Sequence, residues 1–384
     1  HPRDKEHTMT AIKNALVVGG GFSGMAAAIT MQRAGIAVDL LEQDAAWCPL
    51  GAGITIGGAT LRALETLGVY PQIAAAGAPT SGLDLYTQQG HHLTTLRTPP
   101  VMGSSVADTG GILRPVMARI LADATREAGV QVTLGQTWTD LEQSGDQVHV
   151  QFSGGQRRSY DLVVGADGVH SALRERLMPE VPPLQYIGQG VWRAVARRPE
   201  GLERGAMWFG QHIKCGVNPV SATQMYVYIT EDRPTKEHID PATWPTVVKG
   251  LLAPFSHPLV QDLIPQMDLP EAAIDYRPLA NLLVPAPWNR GRVVLIGDTV
   301  AATTPHLASG AGIGIESGIV LGEELARHND LQAALDAFHA RRFERCRMVV
   351  KNSERLCKIE IEGGDKAEHA QIMRDSLLAL TQPI

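Results

Sequence analysis

Apolar residues in this chain fall into two habits. In the first, short unbroken runs lead into stretches of helical spacing: Ala15-Leu16-Val17-Val18, an Ala-rich stretch ending at Gly35, and a second run ending in Glu42. Unbroken runs bounded by turn residues mark strands buried on both faces, so residues 15 to 42 predict strand, helix, strand. Leu61 to Leu67 predicts a helix after Gly51-Ala52-Gly53-Ile54, and Val116 to Ala128 predicts another that stops at Gly129. Val130 to Leu134, Val148 to Phe152 and Leu162 to Val164 read as strands, separated by Ser144-Gly145-Asp146 and Ser153-Gly154-Gly155.

The second habit runs from about Pro182 to Leu279. Strand-like runs rich in aromatic and β-branched residues, such as Gly190 to Ala196 and Gln224 to Thr230, replace the helical spacing. The first habit then returns: Val293-Val294-Leu295-Ile296 runs into Gly297-Asp298 and a long helix. The expected fold class is α/β, with a discontinuous Rossmann-like domain (9–78, 105–181 and 280–355). A mainly β domain (79–104 and 182–279) is inserted in it, and a helical segment (356–384) follows. A ligand belongs in the cleft between the two domains.

A chain of 384 residues, 44% hydrophobic and 19% charged, can bury a large core. Its net charge of −6 argues against a general nucleic-acid binder. Arg341, Arg342, Arg345 and Arg347 cluster locally and read as the solvated face of a late helix, partly balanced by Glu344. Four scattered cysteines without a CxxC pair indicate neither a disulfide framework nor a metal site, and fit a reducing cytoplasm. His1 to Thr8 is polar and reads as a vector-derived remnant before a natural start at Met9. No apolar run is long enough for a bilayer.

Three short motifs carry the chemistry. Gly19-Gly20-Gly21-Phe22-Ser23-Gly24 sits between the first strand and helix, and Glu42 follows at the end of the second strand. This is the arrangement of a dinucleotide site. Gly19 makes the tight turn, Gly21 lets the backbone approach a pyrophosphate, Gly24 packs helix on sheet, and Glu42 accepts a hydrogen bond from ribose. The helix N-terminus supplies free N–H donors and partial positive charge. Gly165-Ala166-Asp167-Gly168 and Gly297-Asp298 each end a buried strand, where α/β folds gather ligand groups. Asp167 taken alone also suits a helix cap.

With these three motifs in this order, residues 11 to 355 resemble the single-component FAD-dependent aromatic hydroxylases typified by para-hydroxybenzoate hydroxylase. The likeness is nearest to the branch acting on salicylate, hydroxynicotinate and urate. The resemblance implies that Gly19, Gly21, Phe22, Ser23, Gly24 and Glu42 hold the ADP half of FAD, with Asp167 near the pyrophosphate. It implies that Asp298 binds the ribityl chain, and that Arg114 and Gly53 also contact the cofactor. Pro305 and Gly310-Ala311-Gly312 would pass beside the isoalloxazine, where helix N-terminal N–H groups stabilise negative charge on the reduced ring. NADH or NADPH would reduce FAD without a nucleotide domain of its own, and O2 would add at flavin C4a to give a hydroperoxide that hydroxylates a small aromatic ring. Relatives commonly read Gly-Asp-Ala-Ala-His after the last strand. Here Ala301 takes the place of the histidine.

Candidate substrate contacts lie on the inserted sheet. Period-2 alternation puts His212, Lys214, Gly216 and Asn218 on one face, and Tyr226 and Tyr228 share a face of the next strand. Lys214 or Arg193 could pair an anionic ring, or be a surface lysine and a structural arginine. Both tyrosines could simply pack, although one of them, Tyr228 being the candidate, could donate to substrate. His306, beside Pro305, is the best-placed histidine for a base, although a satisfied core histidine reads the same way. Trp192 and Trp208 read as core aromatics. A cytoplasmic monomer or homodimer is expected, with no metal. Other flavin chemistry (an oxidase, N-hydroxylase or epoxidase) and a non-enzymatic flavin redox sensor remain the alternative readings. Gly310, Gly314, Gly318 and Gly322 recur every four residues and predict close packing of that helix on a neighbour.

Overall fold

Asn14–Val18 lies inside a six-stranded sheet in the order 289–290, 293–295, 162–165, 14–18, 37–42, 131–134. All its pairings are parallel except the short Asn289–Arg290 edge. The structure is a computed structural model that describes residues 10–48 and 51–384. His1 to Met9, where a remnant and a natural start are expected, lie outside the described residues. Leu16, Val17, Leu40, Val163 and Val294 are closed to solvent. Burial on this scale contributes about 1.5–3 kcal/mol per such side chain and selects the central position of these strands.

Helix Gly310–Arg327 packs along helix Phe22–Arg33 through its glycine stripe. A Cβ on Gly318 would sit 2.6 Å from both Ala27 N and Ser23 O, and one on Gly322 would meet Thr30. The expected close packing is therefore present. It brings the backbone of the first motif's helix against the helix that follows the third motif.

An eight-stranded sheet carries the second half of the site. Its order is 301–302, 275–283, 185–197, 224–232, 213–219, 205–209, 83–87, 92–96. Strand alternation divides its side chains into two layers. Trp192, Trp208, Cys215, Val217, Val227 and Ile229 point one way, into a core closed by Val248, Leu252, Phe255 and Leu263. The opposite layer, with Val195 and Tyr226, packs toward Ala52, Gly53 and Val220. A small sheet of Gly53–Gly57, Thr109–Leu113 and Ala78–Thr80 joins the two halves. Asn218 donates from Nδ2 to Gly110 O at 3.0 Å across that junction.

Helix Leu331–Glu362 runs through residue 355 without a break, so the boundary expected there falls inside one element. Helix Lys366–Thr381 follows it. The arginine cluster also departs from expectation. Arg347 is exposed, but Arg342 is fully buried against Glu316, and Arg345 reaches Glu316 and the carbonyls of Ala379 and Leu380. No helix among the described residues is long and apolar enough to cross a membrane.

Candidate active site

The three motifs converge on one point. Gly19 adopts φ +103°, and a Cβ there would lie 2.3 Å from Ala166 O of the second motif. A Cβ on Gly24 would lie 2.0 Å from Gly19 O, so the helix can approach the turn only with hydrogen at that position. A Cβ on Gly297 would strike Ser23 Oγ at 2.3 Å, which ties the third motif to the first. Gly168 N donates to Thr299 Oγ1 at 3.1 Å, tying the second to the third. Gly21 is different. It N-caps helix Phe22–Arg33 without a side-chain cap, and a Cβ there would meet nothing within 4 Å. Free helix N–H groups with open space before them form an anion cradle.

Glu42 ends its strand beside this cradle. It accepts from Gly20 N and from Asp44 N, each at 2.7 Å, while Trp47 Nε1 donates to Gly20 O at 2.7 Å. The carboxylate thus braces the glycine turn through both of its oxygens. Asp167 takes the cap role: Ser171 Oγ donates to it at 2.5 Å and Leu173 N at 3.2 Å, at the start of helix Ala172–Leu177. Its carboxylate is engaged by the chain itself, so its part in the cradle is to hold the second motif's turn.

Further along the cleft, Arg114 opens helix Arg114–Glu127 and its backbone N donates to Ala52 O at 3.0 Å. Its guanidinium lies 5.8 Å from the Phe22 ring centroid and forms no ion pair among the described residues. Burial lowers its pKa, and Asp298 nearby opposes the shift. Asp298 is solvent-exposed at the end of its strand; desolvation by the protein packed around it pushes its carboxyl above the ordinary carboxylate range, with Arg114 acting against the rise. Gly53 passes close to the Tyr226 side chain, where a Cβ would come within 2.4 Å.

Pro305 is exposed, and Ala308 adopts a left-handed backbone at φ +48° just before helix Gly310–Arg327. Ser309 at the N-cap turns its hydroxyl back to Leu307 O at 2.7 Å, leaving the first-turn N–H groups at Gly310, Ala311 and Gly312 without a side-chain cap. A Cβ on Gly312 would strike Thr60 Oγ1 at 2.2 Å. This is a second donor-bearing helix N-terminus on the same cleft.

These features pass a fit test for FAD. Two uncapped helix N-termini, a desolvated cation without an ion-pair partner among the described residues and a solvent-accessible carboxylate match a pyrophosphate, a polyhydroxyl chain and a ring that accumulates negative charge.

The sheet layer facing the cleft holds Gly216, Tyr228, Arg193 and Asp275 in one cross-strand row. Tyr226 lies one row away, its ring centroid 5.5 Å from that of Tyr228. A Cβ on Gly216 would overlap the Tyr228 ring, so glycine there lets the ring lie across the strand. Neither phenol has a hydrogen-bond partner among the described residues, and burial raises both phenol pKa values, which keeps them as O–H donors. Arg193 is paired through Nε and Nη2 with Asp275, which also receives Arg277 at 3.3 Å. Asp275 and Arg277, unlike Tyr226, carry no motif that marks them in the sequence. Strand alternation and register with Arg193 and Tyr228 were the available signals.

Three candidates need correction. His212 lies at the hairpin corner with φ +58°, half exposed and bonded to Asp232 at 2.6 Å, because the strand begins one residue later at Ile213. The His306 side chain is only 1% exposed. It points away from the exposed Pro305 side of the turn, its Nδ1 2.8 Å from Thr304 Oγ1 and its Nε2 3.3 Å from Glu360 Oε2. Burial lowers its pKa and Glu360 opposes the shift. Lys214 also turns to Glu360, at 2.8 Å. Neither residue is placed to touch a substrate ring. Ala301 is buried in a short strand paired with Leu283, so no side chain reaches the cleft from there.

A family model described as "FAD binding domain" matches residues 13–353. The putative FAD-dependent monooxygenase YetM of Bacillus subtilis is 28% identical, the match covering 93% of this chain and 96% of the relative. The 6-hydroxynicotinate 3-monooxygenase of Bordetella bronchiseptica is 30% identical, over 88% of this chain and 89% of its own. Klebsiella pneumoniae HpxO, solved in complex with FAD and uric acid, superimposes with a TM-score of 0.83 and 25% identity, covering 98% and 99% of the two chains.

Proposed function

The chain belongs to the FAD-binding-domain family and is an FAD-dependent monooxygenase; from that premise we propose that it hydroxylates a small, planar aromatic or heteroaromatic ring, with NAD(P)H as electron donor and O2 as oxygen source. One oxygen atom enters the ring and the other leaves as water, while NAD(P)H and a proton supply the two electrons and hydrogens. Bound FAD supplies the redox and oxygen-activating chemistry. The chain's own residues bind, orient and exclude water.

Gly19 to Gly24 would cradle the pyrophosphate, Glu42 would face the adenosine ribose, and Arg114 and Asp298 would hold the phosphate and ribityl region. The N–H groups of Gly310 to Gly312 would face the ring's carbonyl edge, where one well-aimed donor in a dry site stabilises developing charge by about 3 kcal/mol. The ring substrate would lie between this segment and the Tyr226–Tyr228 face.

The observation that carries the substrate class is that pair of phenols without protein partners, set beside Arg193 on an otherwise well-packed sheet. Such donors suit ring oxygens or nitrogens. Three guanidinium groups (Arg114, Arg193, Arg277) face two carboxylates (Asp275, Asp298), a balance that favours an anionic phenolate or enolate form of the ring. The urate and hydroxynicotinate relatives act on rings of this kind.

The test is a panel of phenolic, pyridine and purine acids scored for NAD(P)H oxidation matched by product carrying one added oxygen. Coupled turnover on at least one such ring, lost in Tyr228→Phe with FAD still bound, is the expected result. NAD(P)H oxidation that yields only peroxide across the panel would overturn the substrate assignment.

A further inference from the structure

Behind the cofactor-facing turn lies a cluster of ionisable groups that the proposed chemistry does not use. Glu360, near the end of helix Leu331–Glu362, accepts from Lys214 Nζ at 2.8 Å and from His369 Nε2 at 3.1 Å, and its other oxygen lies 3.3 Å from His306 Nε2. Four elements meet in this one carboxylate: the substrate sheet, the turn at Pro305–Leu307, the long helix and the last helix. Glu360 is 16% exposed, and Lys214 is 11% exposed. Burial alone would raise the Glu360 pKa, yet Lys214 and then His306 hold it well below the ordinary range, so it is an anion in the fold.

The turn has reason to need such a tie. Ala308 holds a left-handed backbone without being glycine, a conformation that persists only when its surroundings impose it. The turn sets the aim of the uncapped N–H groups at Gly310 to Gly312. The His306 side chain is buried in the turn beside Leu307; its Nδ1 lies 2.8 Å from Thr304 Oγ1 and its Nε2 faces Glu360 Oε2 at 3.3 Å.

We propose that Glu360 is a positioning residue: through His306 it fixes the Pro305–Gly312 segment, and through Lys214 it keeps that segment in register with the substrate sheet. This rests on the reading above that the segment flanks bound FAD and the ring. Misplacing donors by an ångström lowers catalysis far more than ground-state binding.

Two variants separate positioning from charge balance. His306→Asn keeps an amide near the Thr304 contact, removes the atom facing Glu360 and leaves the Lys214–Glu360 pair intact. The double replacement K214M/E360Q removes both charges together, so no lysine is left buried without a partner. For each, the melting temperature, the FAD dissociation constant of the apoprotein by fluorescence titration, and kcat and KM on a turned-over ring are compared with the parent. The expected result is a melting temperature near the parent's, FAD binding weakened severalfold, kcat lowered about tenfold or more, and KM within about twofold. Parent values of the FAD constant and kcat in both variants would overturn the proposal and leave the cluster a structural ion pair. A parent protein that binds no FAD would instead overturn the functional reading, so the two failures are told apart.

Discussion

Glu316 and Arg342 meet at 2.9 Å with their side chains 1% and 0% exposed, joining helix Gly310–Arg327 to helix Leu331–Glu362. The pair is lopsided. Glu316 also receives Arg345 through two nitrogens, at 2.8 and 2.9 Å, and the two arginines together depress its pKa although burial alone would raise it. Arg342 has this one carboxylate, the Ser317 hydroxyl and the Ile313 carbonyl, and its Nη1 is buried without a partner. Removing the carboxylate therefore strands a buried cation, whereas removing Arg342 leaves Glu316 with Arg345. Glu316→Gln is expected to cost about 3–5 kcal/mol in urea unfolding and Arg342→Met clearly less. Equal losses would contradict this asymmetry.

That pair also shows where the sequence ran out. In the chain, Arg341, Arg342, Arg345 and Arg347 stand together, while Glu316, the partner of Arg342 and Arg345, lies on another helix, so the run reads as a solvated face. Glu360 escaped notice for the same reason: it lies 54 residues from His306 and 146 from Lys214. By contrast, the turn at Gly19, the close approach at Gly24 and the stripe at Gly318 were legible, because a missing Cβ is a local demand that leaves a local mark. The sheet face bearing Arg193 and Tyr228 was half legible. Alternation gives the face, but whether an arginine there is free or paired depends on Asp275, 82 residues away.

Arg114 offers a test with opposite signs in two measurements. Its enclosed guanidinium has no ion-pair partner among the described residues, and burial works against its charge. Arg114→Met should leave the apoprotein as stable as the parent or more so, since an unpaired charge is removed. FAD should bind about 10- to 100-fold more weakly, the loss of one or two charge-assisted hydrogen bonds. Calorimetry of the apoprotein and fluorescence titration give the two numbers. A destabilised apoprotein with unchanged FAD affinity would assign Arg114 to the fold instead.

Gly318 and Gly250 make a matched pair of helical glycines. A Cβ on Gly318 meets backbone atoms of the neighbouring helix at 2.6 Å, which cannot give way without moving both helices. A Cβ on Gly250, in helix Trp244–Leu252, meets nothing within 4 Å. Gly318→Ala should destabilise by about 1–3 kcal/mol and weaken FAD binding, because both helices lead out of the cleft. Gly250→Ala should stabilise by roughly 0.5–1 kcal/mol through helix propensity alone. Thermal unfolding of the two variants checks the signs, and a tolerated Gly318→Ala would mean the helices can separate freely.

His339 sets the expected pH dependence of stability. Its Nε2 accepts from Trp288 N at 2.8 Å in a buried site, which requires that nitrogen to be unprotonated. Burial lowers its pKa, with Asp336 and a Leu335 backbone hydrogen bond opposing, and the shift of buried His306 has the same direction. A histidine whose folded pKa lies below its unfolded value of about 6.5 binds more protons when unfolded in the window between the two. Its stabilisation is thus complete above about pH 6.5 and declines as pH falls through that window toward the folded pKa. Unfolding free energy measured from pH 7.5 down to 5.5 should fall, with a slope of at most about 1.4 kcal/mol per pH unit from each such histidine. His339→Gln keeps an acceptor for Trp288 N but cannot titrate, so its curve should be flatter than the parent's by one histidine's share. Identical slopes in parent and variant would show that His339 takes up a proton as readily in the fold as in the unfolded chain, which is incompatible with the Trp288 hydrogen bond to its Nε2.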